Sequence, residues 1–200
     1  MKDSNARNDS REQRILDAAN AVLAEYGYER ATISLIAAKA GVSRGLLHYY
    51  FKSKEELLVR VIKENTEIGT AKLAGIFDHL HHTPNSYASG LTSLFRDFIT
   101  DAEIYYLYME GFILAKRSGV LKSGIADSYI KWKQVLEIGF KQAQEEHTIT
   151  SDTPAKVLAA LIVALVDGIG LQFLAEPELE KDDLIWESFE KCVADLLGSK

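Results

Sequence analysis

Arg44, His48 and Tyr49 crowd into the segment GVSRGLLHYYFKSKEEL, which runs from Gly41 to Leu57. These side chains are hydrogen-bond donors suited to a polyanion. A guanidinium is a planar fork that matches phosphate oxygens or the O6/N7 edge of guanine. A phenol donates to a phosphate oxygen, and an imidazole donates from either ring nitrogen. At about 100° per residue, Arg44 and His48 share one face of a helix, as do Gly45 and Tyr49. Leu47 and Phe51 turn the other way, with Val42, into a core. Gly45 has no side chain, so a nucleic-acid backbone can approach closely. Ser43 and Thr32 are placed to cap helices while meeting phosphate. Lys54, beside the free N–H groups that open the next helix, completes an anion site. Leu46 adds an apolar neighbour. The chemistry is recognition of an anionic surface, not bond making.

The elements that must hold these groups are all helical. Period-two alternation is absent and 3.6-residue spacing recurs throughout. SREQ at Ser10 has the form of a capping box, so the first helix is predicted to start there, leaving residues 1–9 as a flexible arm. Its stripe is Ile15, Ala18, Ala19, Val22, Leu23 and Tyr26, and Gly27 ends it. A second helix fits Thr32 to Ala40, with Leu35, Ile36 and Ala40 inward. Gly41 supplies a turn, and Ser43 caps a third helix, Arg44 to Phe51. SKEE at Ser53 opens a long helix to about His79. Further helices are predicted at about 86–100, 103–117, 123–147, 153–175 and 182–197, with Thr153 and Pro154 starting the fourth of these. Two short helices joined by a glycine-containing turn form a helix-turn-helix, whose second helix enters a DNA major groove.

Charge supports that placement. The chain carries a net −6, yet residues 1–60 hold 10 Lys+Arg against 8 Asp+Glu while the remainder hold 13 against 21. Only the amino-terminal end is suited to meet phosphate; the acidic body is repelled by it. The single cysteine, Cys192, precludes an intramolecular disulfide and fits a reducing cytoplasm. The polar first residues lack the apolar stretch of a secretory signal. The apolar run Val157–Leu174 has Asp167 near its middle, which would cost about 2.5–3.5 kcal/mol at mid-bilayer. A helix buried in the protein or at a subunit interface fits better than a membrane span.

TISLIAAKAGVSRGLLHYYFKSKEELL, Thr32–Leu58, resembles the DNA-binding signature of TetR-family transcriptional regulators. The resemblance implies an all-α homodimer: an N-terminal three-helix helix-turn-helix domain, residues 1–55, and a C-terminal helical-bundle domain, residues 56–200, for ligand binding and dimerisation. It implies DNA-reading roles for Ser43, Arg44, Gly45, His48 and Tyr49, with Thr32 and Lys54 on phosphates. It further implies a palindromic double-stranded operator, a small organic effector, and release of a repressor when that effector binds. ALVDGIGLQFLAEPEL is similar to the BetI-like subgroup.

The body itself carries no catalytic or metal-binding motif, so neither enzyme activity nor a cofactor is expected. The alternative is an all-α small-molecule-binding protein or enzyme that does not touch DNA. Phe95, Phe98, Tyr105, Tyr108, Met109, Phe112, Trp132 and Leu136 are either plain core or the wall of an effector pocket. Glu110 and Asp167 are carboxylates in apolar surroundings; each is expected to pair with a base, to lie at an edge, or to meet a cationic effector. The helix at 153–175 is too apolar all round for a surface helix, and Leu184, Ile185, Phe189, Val193 and Leu196 add a second stripe. These helices are either buried within one subunit or, as the resemblance implies, form a dimer contact at Leu165, Gly168, Leu171, Ile185, Phe189 and Val193. His79, His81 and His82 read as an exposed helix end, and Cys192 as a small buried side chain.

Overall fold

The computed structural model describes residues 2–79, 83–116 and 118–198, with side chains from Ser10 onward except at 79, 102 and 103. Among them the regular elements are all helical: α1 (Lys2–Arg30), α2 (Ile33–Ala40), α3 (Arg44–Tyr50), α4 (Lys54–His79), α5 (Pro84–Thr100), α6 (Ala102–Leu114), α7 (Gly119–Glu145), α8 (Ala155–Ala175) and α9 (Asp183–Leu197), with a short 3-10 helix at Pro177–Lys181. They form two compact units, Met1–Asn65 with Tyr106–Ser128, and Thr66–Tyr105 with Tyr129–Lys200.

In the first unit the helix-turn-helix is locally encoded. Thr32 accepts from the Leu35 N–H and starts α2; Ser43 accepts from the Leu46 N–H and starts α3. Each satisfies a donor that a helix start would leave orphaned. Between them Gly41 adopts a left-handed φ of 65° and returns its N–H to the Ala37 and Ala38 carbonyls. A Cβ is unwelcome in that conformation, which is why glycine closes the helix. Ile15, Ala19, Leu23, Ile36, Leu47 and Phe51 are buried around this turn. Leu47 and Phe51 each remove roughly 1.5–3 kcal/mol worth of apolar surface from water, and so pin α3 by one face.

In the second unit α5 packs on α9, and α8 contacts both. Tyr87, Leu91, Phe140, Leu158, Ile162 and Val193 are buried at its centre. Arg96 bonds Asp183 at 2.8 Å, and its guanidinium stands 5.5 Å from the Trp186 ring.

Several boundaries differ from the sequence reading. The backbone of α1 is helical from Lys2, eight residues before Ser10. The break at Gly27 is real: φ there is 70°, although a helical turn resumes and carries α1 to Arg30. That kink rotates the residues after it, and Tyr28 is buried, whereas Tyr26, just before it, is half-exposed. Leu35 is exposed, with Ala37 taking its place in the core beside Ile36 and Ala40. Thr153 makes no side-chain cap on α8. The same Thr-Pro pair works at α5 instead, where Thr83 and Ser86 form a reciprocal capping box ahead of Pro84. The reading at His81 and His82, and at the His79 side chain, lies outside the described residues.

Candidate nucleic-acid interface

The outer face of α3 is built by subtraction. Leu47 takes the core and Phe51 closes the helix, so Arg44, Gly45, His48 and Tyr49 all remain exposed. Tyr49 is 77% exposed, unusual for a large ring, and it leans edge-on against Tyr50 with centroids 5.4 Å apart. That contact holds the phenol without occupying its hydroxyl. Arg44 extends along the surface, its Nη1 donating to the Ser34 hydroxyl at 3.4 Å. Leu46 is half-buried at the rim of this face. Thr32 and Ser43 are exposed while they cap. These six predicted residues, Thr32, Ser43, Arg44, Gly45, His48 and Tyr49, thus come together on the open side of α2 and α3.

Lys54 is placed differently. Its ammonium donates to the Tyr28 carbonyl at 2.6 Å and the Ala31 carbonyl at 3.1 Å, and stands 4.1 Å from the Tyr28 ring centroid. Two of its three N–H donors close off the carboxyl end of α1, a structural task that the sequence reading missed. Spacing gave no hint of it, since the partners are 26 and 23 positions away.

The predicted pocket residues divide between the units. Phe95, Tyr105, Trp132 and Leu136 are buried in the second, with Phe98 half-buried among them. Phe98 sets its edge on Tyr105 at 5.7 Å and meets Trp132 at 6.0 Å; Trp132 also meets Phe95 at 6.2 Å. Tyr108, Met109 and Phe112 belong to the first unit, where Tyr108 and Phe112 pack edge-to-face at 5.3 Å. Asp167 accepts from the Tyr129 hydroxyl at 2.8 Å, and its backbone carbonyl accepts from Tyr105 at 3.4 Å. Burial raises the Asp167 pKa, and the Tyr129 bond partly opposes that. Burial, followed by the Asp167 charge, pushes the Tyr105 hydroxyl up to about 12.

The predicted dimer face also divides. Gly168 and Leu171 are exposed on α8, with Leu165 half-exposed, but Phe189 and Val193 on α9 are buried in their own unit. On α9 the exposed Leu184, Ser188 and Cys192 line an open groove with Asp182, Leu165, Ile169, Ile185 and the edge of the otherwise buried Phe189. Cys192 is therefore exposed, not buried. Leu184 and Val193 lie nine positions apart, which is half a turn at about 100° per residue, so one stripe cannot contain both.

The model of bacterial regulatory proteins of the tetR family matches residues 15–61. Over 167 residues the chain is 26% identical to an HTH-type transcriptional repressor of Mycobacterium tuberculosis, an alignment covering 80% of each. Its fold is similar to that of GusR from Salmonella enterica, with a TM-score of 0.76 at 21% identity over 94% of this chain and 95% of that one. It is also similar to the transcriptional regulator FadR from Bacillus subtilis, solved in complex with stearoyl-CoA, with a TM-score of 0.73 at 21% identity over 94% and 99%. The amino-terminal segment thus resembles the tetR family of bacterial regulatory proteins over residues 15–61, and the chain as a whole shares the all-helical fold of these solved regulators.

Proposed function

We propose that the protein is a one-component repressor that binds a palindromic operator as a homodimer and leaves it when a small organic effector binds. The observation that carries this is the outer face of α3, where Arg44, Gly45, His48 and Tyr49 stand exposed together on a helix whose other face is core. Arg44 reads a guanine edge or holds a phosphate, and Tyr49 donates to a phosphate. Gly45 lets the duplex backbone in, and His48 donates toward the groove. Thr32, Ser43 and the remaining N–H of Lys54 add phosphate contacts. Phosphate neutralisation supplies most of the affinity and makes it fall with salt.

The open apolar side of α8 and α9, centred on Gly168 and Leu171 with Leu165 and Ile185 at its margin, supports a two-fold dimer. An all-helical body with an aromatic cluster at Phe98, Tyr105 and Trp132 supports an organic effector, and the carboxy-terminal phrase supports a BetI-like subgroup. An effector that prefers the dimer with the wrong spacing of reading helices shifts the population off DNA. α4, which contributes to both compact units, is the connecting element. The setting is the cytoplasm, and no catalytic step is assigned.

Selection of bound duplexes from a random library tests the proposal. Enriched sequences should be inverted repeats, with half-site centres about 34–36 Å apart or a multiple of that. A library that emerges without an inverted repeat would refute the reading.

A further inference from the structure

The kink in α1 leaves an unusual donor. Gly27 has φ 70° and ψ 166°, which lifts the next residue out of the helical ladder. In an unbroken helix the Tyr28 N–H would bond the carbonyl four residues back. Here it donates instead to Glu110 Oε2 at 2.8 Å, a carboxylate 82 positions along the chain on α6. The two Glu110 oxygens lie 3.7 and 4.0 Å from the point where a Cβ on residue 27 would sit, so the carboxylate fills the corner of the kink.

The other sides of Tyr28 belong to α4. Its carbonyl accepts from Lys54, whose ammonium also covers the ring. Burial, then the charge of Glu55 and its hydrogen bond, raise the pKa of the Tyr28 hydroxyl, which therefore stays protonated. One residue is gripped by two helices, and the chain that leaves it enters α2 and α3 within a few residues. The grip on its N–H is the one that matters for direction. Glycine visits left- and right-handed backbone about equally. Without an acceptor for the Tyr28 N–H, only the Lys54 bonds to the Tyr28 and Ala31 carbonyls and the turn from Ala31 N–H to the Gly27 carbonyl hold the exit, and the Gly27 side of it is freer. With a charged acceptor in place, the exit angle from α1 has a single bonded solution.

We propose that Glu110 is a positioning residue for DNA recognition, holding the Tyr28 N–H so that α2 and α3 leave the Gly27 kink at a fixed angle. The consequence for DNA rests on the repressor reading; the local ordering does not.

Glu110→Gln keeps an oxygen acceptor, whereas Glu110→Leu keeps size and removes it. Amide hydrogen exchange on the DNA-free protein is the first readout. In the Leu variant, residues 28–35 should exchange about tenfold faster or more, with α5 and α9 unchanged; the Gln variant should match the parent. Operator affinity is the second readout, and should fall about tenfold in the Leu variant and recover in the Gln variant. Glu110→Asp withdraws the same charge by one methylene. It should show the faster exchange even if the Leu variant fails to fold. Unchanged exchange at residues 28–35 in both the Leu and Asp variants overturns the proposal. So does faster exchange with undiminished operator affinity. A parent protein that binds no DNA at all would instead defeat the repressor reading, and the exchange experiment would still decide the role of Glu110 at the kink.

Discussion

The outer face of α3 and the outer face of α8 are both exposed sides of helices whose opposite sides are core. On α3 the exposed set is Arg44, Gly45, His48 and Tyr49, backed by Leu47. On α8 it includes Val157, Ala160, Leu161, Ala164, Gly168 and Leu171, with Gln172 at its edge, backed by Ile162 and Val166. The spacing rule that exposes them is the same, and the chemistry is opposite. Donors left in water cost nothing and await an acceptor of matching geometry. Apolar side chains left in water in a contiguous stripe are unfavourable, and a monomer rarely keeps such a stripe without a partner for it. The first face therefore suits an anion and the second suits another apolar surface. The net-basic amino-terminal residues and the acidic remainder divide along the same line.

The largest effect that sharpens this contrast concerns Phe189, which sequence spacing assigns to the second face and packing assigns to the core. Phe189→Ala should lower folding stability by about 3–5 kcal/mol, the scale of a buried large-to-small change. Denaturant unfolding measures it, and a variant that folds normally but fails to associate would return Phe189 to the interface. Gly168→Arg should do the reverse. Nothing lies within 4 Å of a Cβ built at Gly168, so the chain folds unhindered. A charge on a face that a partner covers should weaken association by about 3–5 kcal/mol, as for an unpaired buried ion. Sedimentation equilibrium decides it, and an undisturbed oligomer would move the contact off α8.

Arg44→Ala tests the other face. It should cost about 1–3 kcal/mol in operator binding and relax the base preference at one position, without altering helicity or association. Tyr49→Phe removes only a hydroxyl and should weaken binding by about 0.5–1.5 kcal/mol on every sequence alike. Fluorescence anisotropy against matched and scrambled duplexes separates the two. A change in base preference at Tyr49, or none at Arg44, would exchange their roles.

What could be read in the chain divides by distance along it. Thr32, Gly41 and Ser43 act on neighbours three or four residues away, so the helix-turn-helix and its open face were legible from spacing. The kink at Gly27 was legible as an end but not as a knuckle, because Glu110 reaches it from 82 positions away. Lys54 was assigned to phosphate by type, and its bonds to Tyr28 and Ala31 are invisible to periodicity. On α9 the apolar residues were read as one stripe, although they spread over half the helix circumference. Only packing on α5 and α8 decides that Phe189 and Val193 go in while Leu184 and Cys192 stay out. Thr153 and Thr83 both precede proline, yet only Thr83 has a partner serine three residues on, at Ser86. A capping signal needs both members of the box.

Asp167 lies on the flank of α8 between its buried and open sides, and its ionisation tests how that face is covered. Burial raises its pKa above the ordinary aspartate value, although the Tyr129 hydroxyl donates to it and favours the charged form. A carboxyl that binds its proton more tightly folded than unfolded adds stability that is complete below the unfolded pKa, near 4, and is lost as pH rises through the folded one. Asp167→Asn keeps an acceptor for Tyr129 and cannot ionise. The melting temperature of the variant minus that of the parent should therefore be smallest at the acid end and grow as pH rises past the ordinary carboxylate range. A partner surface laid over α8 deepens the burial and steepens that rise, so the difference should widen with protein concentration. A difference that shrinks with rising pH would mean that the Tyr129 bond outweighs burial. A difference indifferent to concentration would leave the flank of α8 outside any contact between copies.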